Sequence, residues 1–208
     1  MASEWNYCVR CGARLVVQVA GEPHARLVCS NPACGRVSYR NAKPCAGALV
    51  EQDGRVLLVR RAIEPYQGAW DIPGGFLEEW EHPATAAIRE VQEETGLEIA
   101  LTALLGIFID HYGPEDYNTL NVYYRARVLG GVLQAADDAA ALAWFAPDAL
   151  PDEIAFPAHE RLALAAWRDA LAREPQPTPA PAMTAWVASG VLPWDPAENG
   201  RWTMDDGR

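Results

Sequence analysis

The sequence predicts an α/β sandwich built on a mixed sheet and preceded by a small zinc ribbon. Strand and helix patterns follow one another in the order strands, helix, strands, helix. Two pairs of cysteines precede these patterns, and a run in which proline alternates with small residues follows them. The chain of 208 residues therefore divides into a ribbon (1–40), an α/β domain (41–173), and a linker with a tryptophan-containing tail (174–208).

The cysteine spacing predicts a structural zinc site in the ribbon. Cys8 and Cys11 form one pair, Cys29 and Cys34 form the other, and each pair is followed by a glycine that lets backbone amides turn toward sulfur. Two disulfides are the alternative, which a chain without a secretion signal disfavours. A closed four-thiolate site stabilises the fold and leaves no open position for catalysis. The remaining Cys45 is predicted to be a buried core thiol.

Local signals place the other elements. Asp53-Gly54, between two apolar runs, predicts a two-residue hairpin. Pro83 suits the first turn of a helix, and Gly96 suits the position just past its end. A second helix is predicted over Pro157–Arg173. The predicted strands are Leu15–Val19, Ala25–Val28, Ala46–Glu51, Arg55–Arg60, Ala103–Asp110, Leu120–Leu129 and Leu142–Phe145.

Three acidic residues of the first helix are predicted to crowd together. At about 100° per residue, Glu90, Glu93 and Glu94 share a stripe beside the apolar one. Like charges at this spacing destabilise an isolated helix, and a hard divalent cation with oxygen ligands removes that penalty. Arg89 precedes Glu93 by four residues, where it can hold that carboxylate in place. A solvated acidic helix face is the alternative.

The stretch from Gly75 to Leu97 resembles the Nudix box. Its fixed positions hold Gly75, Glu81, Arg89, Glu90, Val91, Glu93, Glu94, Gly96 and Leu97. The resemblance implies the Nudix α/β/α sandwich, a Mg²⁺ (or Mn²⁺) cofactor, and hydrolysis of a diphosphate linked to a nucleoside. It also implies metal ligands at Glu90, Glu93, Glu94 and the carbonyl of Gly74, and it implies that Glu93, Glu90 and Arg89 serve catalysis.

Residues 7–170 resemble zinc-ribbon Nudix hydrolases, a set that includes NADH, FAD and ADP-ribose pyrophosphatases. Beyond the box, this resemblance rests on residues 34–44 and 63–70. The Ser-Gln-Pro-Trp-Pro-Phe-Pro run of the NADH enzymes is absent, so ADP-ribose or FAD is the expected substrate, with release of AMP. A sanitising hydrolase of oxidised nucleoside triphosphates and a non-catalytic ligand sensor are the alternatives.

The general base is left open by the sequence. Many Nudix proteins have a glutamate where this chain has Ala141. Asp137 and Asp138, or Glu115 and Asp116, are candidate replacements, and acids that merely form turns are the alternative for each.

Candidate substrate contacts come from cations and aromatic residues. Arg40 and Arg60 are candidates for phosphate contact. Aromatic residues near strand ends are candidates for stacking on an adenine or flavin ring, with a place in the core as the alternative. They are Tyr66, Trp70, Phe108 and Tyr112.

Composition bears on partners and compartment. The formal net charge of −11 argues against a nucleic-acid partner, so a small anionic nucleotide must be bound through metal and local cations. No apolar run approaches eighteen residues and no signal peptide is recognisable, which predicts a cytoplasmic protein without membrane contact.

Homodimers are common in the Nudix family, so a homodimer is expected by analogy. Trp186, Trp194 and Trp202 predict a tail that docks on its own domain or a neighbouring subunit.

Overall fold

The structure is a computed structural model that describes residues 5–18, 25–112 and 117–173. The tail tryptophans, together with Glu115 and Asp116, lie outside these residues. The chain divides into two compact units whose boundary falls between Asn41 and Ala42. No helix among the described residues is both long and apolar enough to cross a membrane.

The first unit contains a three-stranded antiparallel sheet with almost no apolar core. Its strands are β1 (Leu15–Gln18), β2 (Arg26–Cys29) and β3 (Val37–Ser38), in the order β1-β2-β3. Among the described residues of this unit, only Cys8 and Cys29 are buried. So small a unit cannot be held together by hydrophobic burial and needs cross-links or a metal.

The second unit is built on a mixed sheet of seven strands. They are β4 (Lys43–Gln52), β5 (Arg55–Arg61), β6 (Trp70–Asp71), β7 (Gly74–Phe76), β8 (Leu97–Tyr112), β9 (Tyr117–Gly131) and β10 (Ala139–Phe145). The main order is β10-β5-β4-β9-β8, while β6 pairs with β5 and β7 pairs with β4. Strands β4 and β9 run parallel and the other pairs run antiparallel, so the sheet is mixed, as predicted.

Two helices, α1 (Pro83–Thr95) and α2 (Pro157–Arg173), pack on opposite faces of this sheet. Adjacent residues of β4 point to opposite faces of the sheet. Ala48 belongs to the core under α1, and Leu49 belongs to the core under α2. Trp167 of α2 is completely buried in the second core. The predicted α/β/α sandwich with a mixed sheet is therefore confirmed.

The hairpin signal and the helix-end signal form the structures predicted for them, and His82 adds a cap at the start of α1. Asp53 and Gly54 have φ angles of 51° and 70°, as a two-residue type I′ hairpin turn requires. Gly96 has a φ of 70° and donates its N–H to the carbonyl of Gln92 at 2.9 Å, which ends α1. His82 caps the start of α1, because its Nδ1 accepts the N–H of Ala84 at 3.1 Å.

The strand bounds differ from prediction where the ladder is irregular. β8 begins at Leu97, directly after the helix cap, whereas the sequence pattern predicts Ala103. Three register shifts interrupt its pairing with β9, and each shift breaks the alternation on which the prediction depends. β10 likewise begins at Ala139 and has a bulge before Ala141, which hides its first residues from the pattern.

We expect Leu164→Ala to destabilise the second unit by about 2–5 kcal/mol, since Leu164 is 2% exposed in the core under α2. Leu162→Ala is the matched control on the same helix, because that side chain is 60% exposed. The control should change the free energy of unfolding by less than about 0.5 kcal/mol. Urea unfolding followed by circular dichroism measures both. Equal effects would contradict the assignment of the core.

Candidate active site

A cleft of about 370 Å³ is lined by both helices and the sheet of the second unit, and it collects acidic side chains. The carboxylates along it belong to Asp71, Glu78, Glu90, Glu93, Glu94, Asp137, Asp138 and Glu160. Its two guanidinium groups belong to Arg61 and Arg89. Acidic groups therefore far outnumber cations, although the cleft is the place where an anionic substrate would have to bind.

Arg89 is the centre of the ion pairs on the α1 side. Its Nε and Nη2 bind both carboxylate oxygens of Glu81 at 2.8 and 2.7 Å. Its Nη1 donates to Glu90 and to Glu93, at 2.8 Å each. The predicted contact between Arg89 and Glu93 is present, and the hydrogen bond from Arg89 lowers the pKa of Glu81. One cation thus fixes three carboxylates, two of which face the cleft.

Glu94 makes no ion pair with a described residue. It is 8% exposed and accepts the N–H of Gly74 at 3.1 Å through Oε2. Burial, the charge of Asp71 and the charge of Glu90 together raise the pKa of Glu94 to about 9. A carboxylate in this position ionises readily only when a cation is added beside it.

Gly75 makes room for the carboxylate of Glu90. A Cβ at Gly75 would stand 2.5 Å from Glu90 Oε1. A Cβ at Gly74 would stand 2.6 Å from the carbonyl oxygen of Ala46. The two adjacent glycines thus let the turn approach both β4 and α1 closely, which explains why the sequence needs glycine at both positions.

The opposite wall contains an ion pair that faces the cleft. Arg61 donates from Nη1 to Asp71 Oδ2 at 2.6 Å, and from Nε to the carbonyl of Pro65 at 2.7 Å. Its guanidinium also lies over the ring of Phe156, 5.0 Å from the centroid. Glu160 of α2 is completely buried beside this pair and accepts the N–H of Ile72 at 3.4 Å.

A chain of hydrogen bonds completes the cleft floor. His159 of α2 joins Asp110 through Nδ1 at 2.7 Å and the hydroxyl of Tyr123 through Nε2 at 3.0 Å. The rings of His159 and Tyr123 are parallel, with centroids 5.7 Å apart. Both ring nitrogens are therefore engaged, and the imidazole is held rigidly between β8 and β9.

Aromatic rings stand along the same cleft. Phe76 is 41% exposed and meets the ring of Tyr112 edge-on, with centroids 5.8 Å apart. Tyr112 is stacked on Phe156 at 5.4 Å. These three rings line the cleft, so they offer flat apolar surface beside the acidic groups.

The predicted substrate contacts are not brought together. Arg40 lies in the first unit, and Arg60 is exposed and donates to the carbonyl of Gly68 at 2.7 Å, while its neighbour Arg61 lines the cleft. Trp70 packs against Phe145 at 4.9 Å in the core under α2, and Tyr66 packs against Phe156 at 4.9 Å.

The structure also shows where Phe108, Tyr112 and Cys45 lie. Phe108 packs beside Tyr123 in the core under α2, whereas Tyr112 does line the cleft. Cys45 was predicted to be a buried core thiol, and that is wrong in part. It is half-buried and lines the cleft, because β4 runs along the cleft at this residue, although burial still raises its pKa to about 12.

The four ribbon cysteines gather in the first unit. The sulfur atoms of Cys8, Cys11, Cys29 and Cys34 all lie within 4.8 Å of one another, and none of them is in a disulfide. Within the described ranges, no other group of three or more potential ligands is this tight. The N–H of Arg10 lowers the pKa of Cys8 to about 7, whereas burial raises the pKa of Cys29 to about 12, so without a metal the thiolate is favoured at Cys8 and disfavoured at Cys29. These donors suit a tetrahedral zinc ion.

Comparison with known families accounts for both units. The NUDIX domain model matches residues 42–166, which is more than half of the chain. The chain belongs to the Nudix family. A second model, described as the Nudix N-terminal zinc ribbon, matches residues 6–40. The zinc ribbon, the fold and the family predicted from the box and the cysteines are therefore confirmed.

Individual relatives agree with this Nudix assignment. A MutT-like protein from Streptomyces ambofaciens is 36% identical over 110 residues, which cover 53% of this chain and 67% of that protein. An ADP-ribose pyrophosphatase from Methanocaldococcus jannaschii is 32% identical over 124 residues, which cover 60% and 72%. The crystal structure of a NUDIX hydrolase from Nitrosomonas europaea matches with a TM-score of 0.68 and 26% identity, covering 84% of this chain and 95% of that one. This chain is accordingly a Nudix hydrolase.

The sequence pattern misses the Nudix cleft wall that faces the box. Asp71, Asp110, His159 and Glu160 come from three separate elements of the chain. The sequence does contain one signal for Glu160, because the residues three and four positions after it in the second predicted helix, Ala163 and Leu164, are apolar and share its side of the helix. The sequence does not distinguish Arg61 from Arg60. Adjacent residues of β5 point to opposite faces of the sheet, and in the structure it is Arg61 that lines the cleft.

We expect this Nudix protein to be purified with one zinc per chain and the Cys34→Ser variant to lose it, since the ribbon has no core to replace the metal. Cys45→Ser is the control, because Cys45 lies outside the cysteine cluster. Metal analysis by mass spectrometry and circular dichroism of the chelator-treated protein test this. Retention of zinc by Cys34→Ser would exclude Cys34 as a ligand.

Proposed function

We propose that this Nudix hydrolase cleaves the diphosphate bond of a nucleoside diphosphate derivative in a Mg²⁺-dependent reaction that releases AMP. ADP-ribose and FAD are the preferred substrates, ahead of NADH. The observation that carries the proposal is the charge of the cleft. Eight carboxylates line it, and both of its guanidiniums are already paired with acids. Such a cleft accepts a diphosphate only together with divalent cations.

The donor set fits a magnesium or manganese ion. Glu94 is a buried carboxylate that no described cation pairs with, and Glu90 stands one helical turn before it on α1. Because they are four residues apart, the two side chains lie on the same side of the helix, and both reach the cleft. This spacing places two potential oxygen ligands side by side.

Glu93 and the carbonyl of Gly74 complete the proposed ligands. Glu93 lines the cleft beside Glu90, and Gly74 is tied to Glu94 by the hydrogen bond from its N–H. Val91, which directly follows Glu90, is completely buried in the core under α1 and anchors the helix. A bound Mg²⁺ would neutralise phosphate charge and make a coordinated water a better nucleophile.

The chain's own side chains have separate roles in this proposal. Arg89 holds Glu90 and Glu93 in fixed positions through hydrogen bonds of 2.8 Å. Arg61 lines the other wall, where its guanidinium can contact a phosphate oxygen of the bound substrate. Phe76 offers an exposed ring on which a base or flavin can stack.

Asp137 and Asp138 are the proposed replacements for the missing acid at Ala141. Both line the cleft and both are exposed, so each can reach a water molecule there. Asp137 has a φ of 52° and stands in the turn just before β10. We assign the proton acceptor to this pair, because Glu160 is completely buried and burial raises its pKa well above the usual range.

The substrate class draws further support from the relatives. The protein from Methanocaldococcus jannaschii is named an ADP-ribose pyrophosphatase, which favours ADP-ribose for this chain as well. The alternative is a sanitising hydrolase of oxidised nucleoside triphosphates. The homodimer, the cytoplasmic location and the absence of a nucleic-acid partner stay predictions.

We expect Glu94→Gln to reduce turnover by roughly 10²-fold or more, since the amide removes a charge that the metal requires. The substrate panel is ADP-ribose, FAD, NADH, 8-oxo-dGTP and dinucleoside polyphosphates, each with and without Mg²⁺, with products separated by chromatography. Glu98→Gln is the control, because Glu98 is exposed on β8 and does not line the cleft. If 8-oxo-dGTP were the one substrate hydrolysed, with release of pyrophosphate, the result would favour the sanitising alternative. If no substrate of the panel were hydrolysed, the result would favour the ligand sensor.

We expect Arg61→Ala to raise KM for the preferred substrate about tenfold or more, because it removes the cleft cation proposed to contact phosphate. Arg60→Ala is the matched control on the same strand, since that side chain is exposed and does not line the cleft. Steady-state kinetics of the two variants provide the measurement. A larger effect at Arg60 than at Arg61 would restore the role that the sequence pattern predicts for Arg60.

A further inference from the structure

Glu160 is a buried acid to which the proposed reaction assigns no step. It stands in the first turn of α2 with no exposed surface, among residues that otherwise form the core. Burying a carboxyl group is costly unless hydrogen bonds compensate for the lost water. A leucine would fill the same space without that cost, so the contacts of the carboxyl group indicate what it does.

One oxygen of Glu160 holds the turn that carries Gly74. Its Oε1 accepts the N–H of Ile72 at 3.4 Å, and two residues later the N–H of Gly74 goes to Glu94 at 3.1 Å. The turn is thus suspended between a glutamate of α2 and a glutamate of α1. Any shift of α2 would be transmitted through this contact to the carbonyl of Gly74.

The second oxygen of the same carboxyl group, Oε2, is buried and has no hydrogen-bond partner among the described residues. Asp71 lines the same cleft and is ion-paired with Arg61 at 2.6 Å. Burial, followed by the negative charge of Asp71, raises the pKa of Glu160 well above its usual range.

We propose that Glu160 is a positioning residue of the hydrolytic site, whose buried carboxyl group bridges the Ile72 amide and the Asp71 side chain. In this role it fixes two features of the cleft together. One is the turn that carries Gly74, and the other is the Asp71–Arg61 pair. The inference rests on the proposed function, because it assigns Glu160 to the same cleft.

The test compares Glu160→Gln with Glu160→Leu in the full-length, zinc-loaded protein. A glutamine amide can accept from Ile72 and donate to Asp71, so kcat and KM should stay within about threefold of wild type. Leucine can do neither, and we expect kcat to fall roughly 10- to 100-fold. The leucine variant leaves the buried N–H of Ile72 without its acceptor, so its melting temperature should fall, and activity is therefore measured below that temperature in protein that circular dichroism shows to be folded. Asp169→Asn is the control for an exposed acid on the same helix.

Each outcome of this comparison supports or overturns the role of Glu160. Loss of activity in the leucine variant alone, in protein that is folded at the assay temperature, supports the proposal. Equal loss in the glutamine and leucine variants would overturn it, since the reaction would then need an ionised Glu160. Wild-type kinetics in the leucine variant would also overturn it, and a lower melting temperature beside them would reduce Glu160 to a structural residue. Failure of the proposed function is separate, because wild-type protein would then hydrolyse nothing in the panel.

Discussion

The turn formed by Ile72, Pro73, Gly74 and Gly75 is held by hydrogen bonds from three directions, and the geometry of the cleft depends on it. Glu160 of α2 accepts the N–H of Ile72, and Glu94 of α1 accepts that of Gly74. The carbonyl of Pro73 accepts the N–H of Ala48 in the central strand β4. Because both helices and the sheet meet at this turn, its backbone can hold ligands in fixed positions without a rigid loop of its own.

Ion pairs with two arginines explain why so many acidic side chains can lie close together in and beside the cleft. Arg89 compensates Glu81, Glu90 and Glu93, while Arg61 compensates Asp71. Neither arginine forms an ion pair with Glu94, whose raised pKa reflects its burial and the negative charges that surround it. The folded chain therefore holds an unfavourable arrangement of charges that a divalent cation at the proposed metal site would relieve.

The two units gain their stability in different ways. The second has two apolar cores, one on each face of the sheet, and its site is carried on elements fixed by them. In the described part of the first unit, the buried residues are two of the four clustered cysteines. We therefore expect the ribbon to depend on a bound metal for its stability, whereas the hydrolase unit has apolar cores of its own.

Features that depend on local spacing could be predicted from the order of residues alone. The ends of α1, the Asp53-Gly54 hairpin, the cysteine cluster and the side of α1 that carries Glu90 and Glu94 all follow from short-range patterns. Folding of the whole domain decides that Arg61 and not Arg60 lines the cleft, and that Glu160 reaches a turn 88 residues away. These contacts depend on strand register and on where α2 packs, and both are set by burial across the domain, which no local pattern contains.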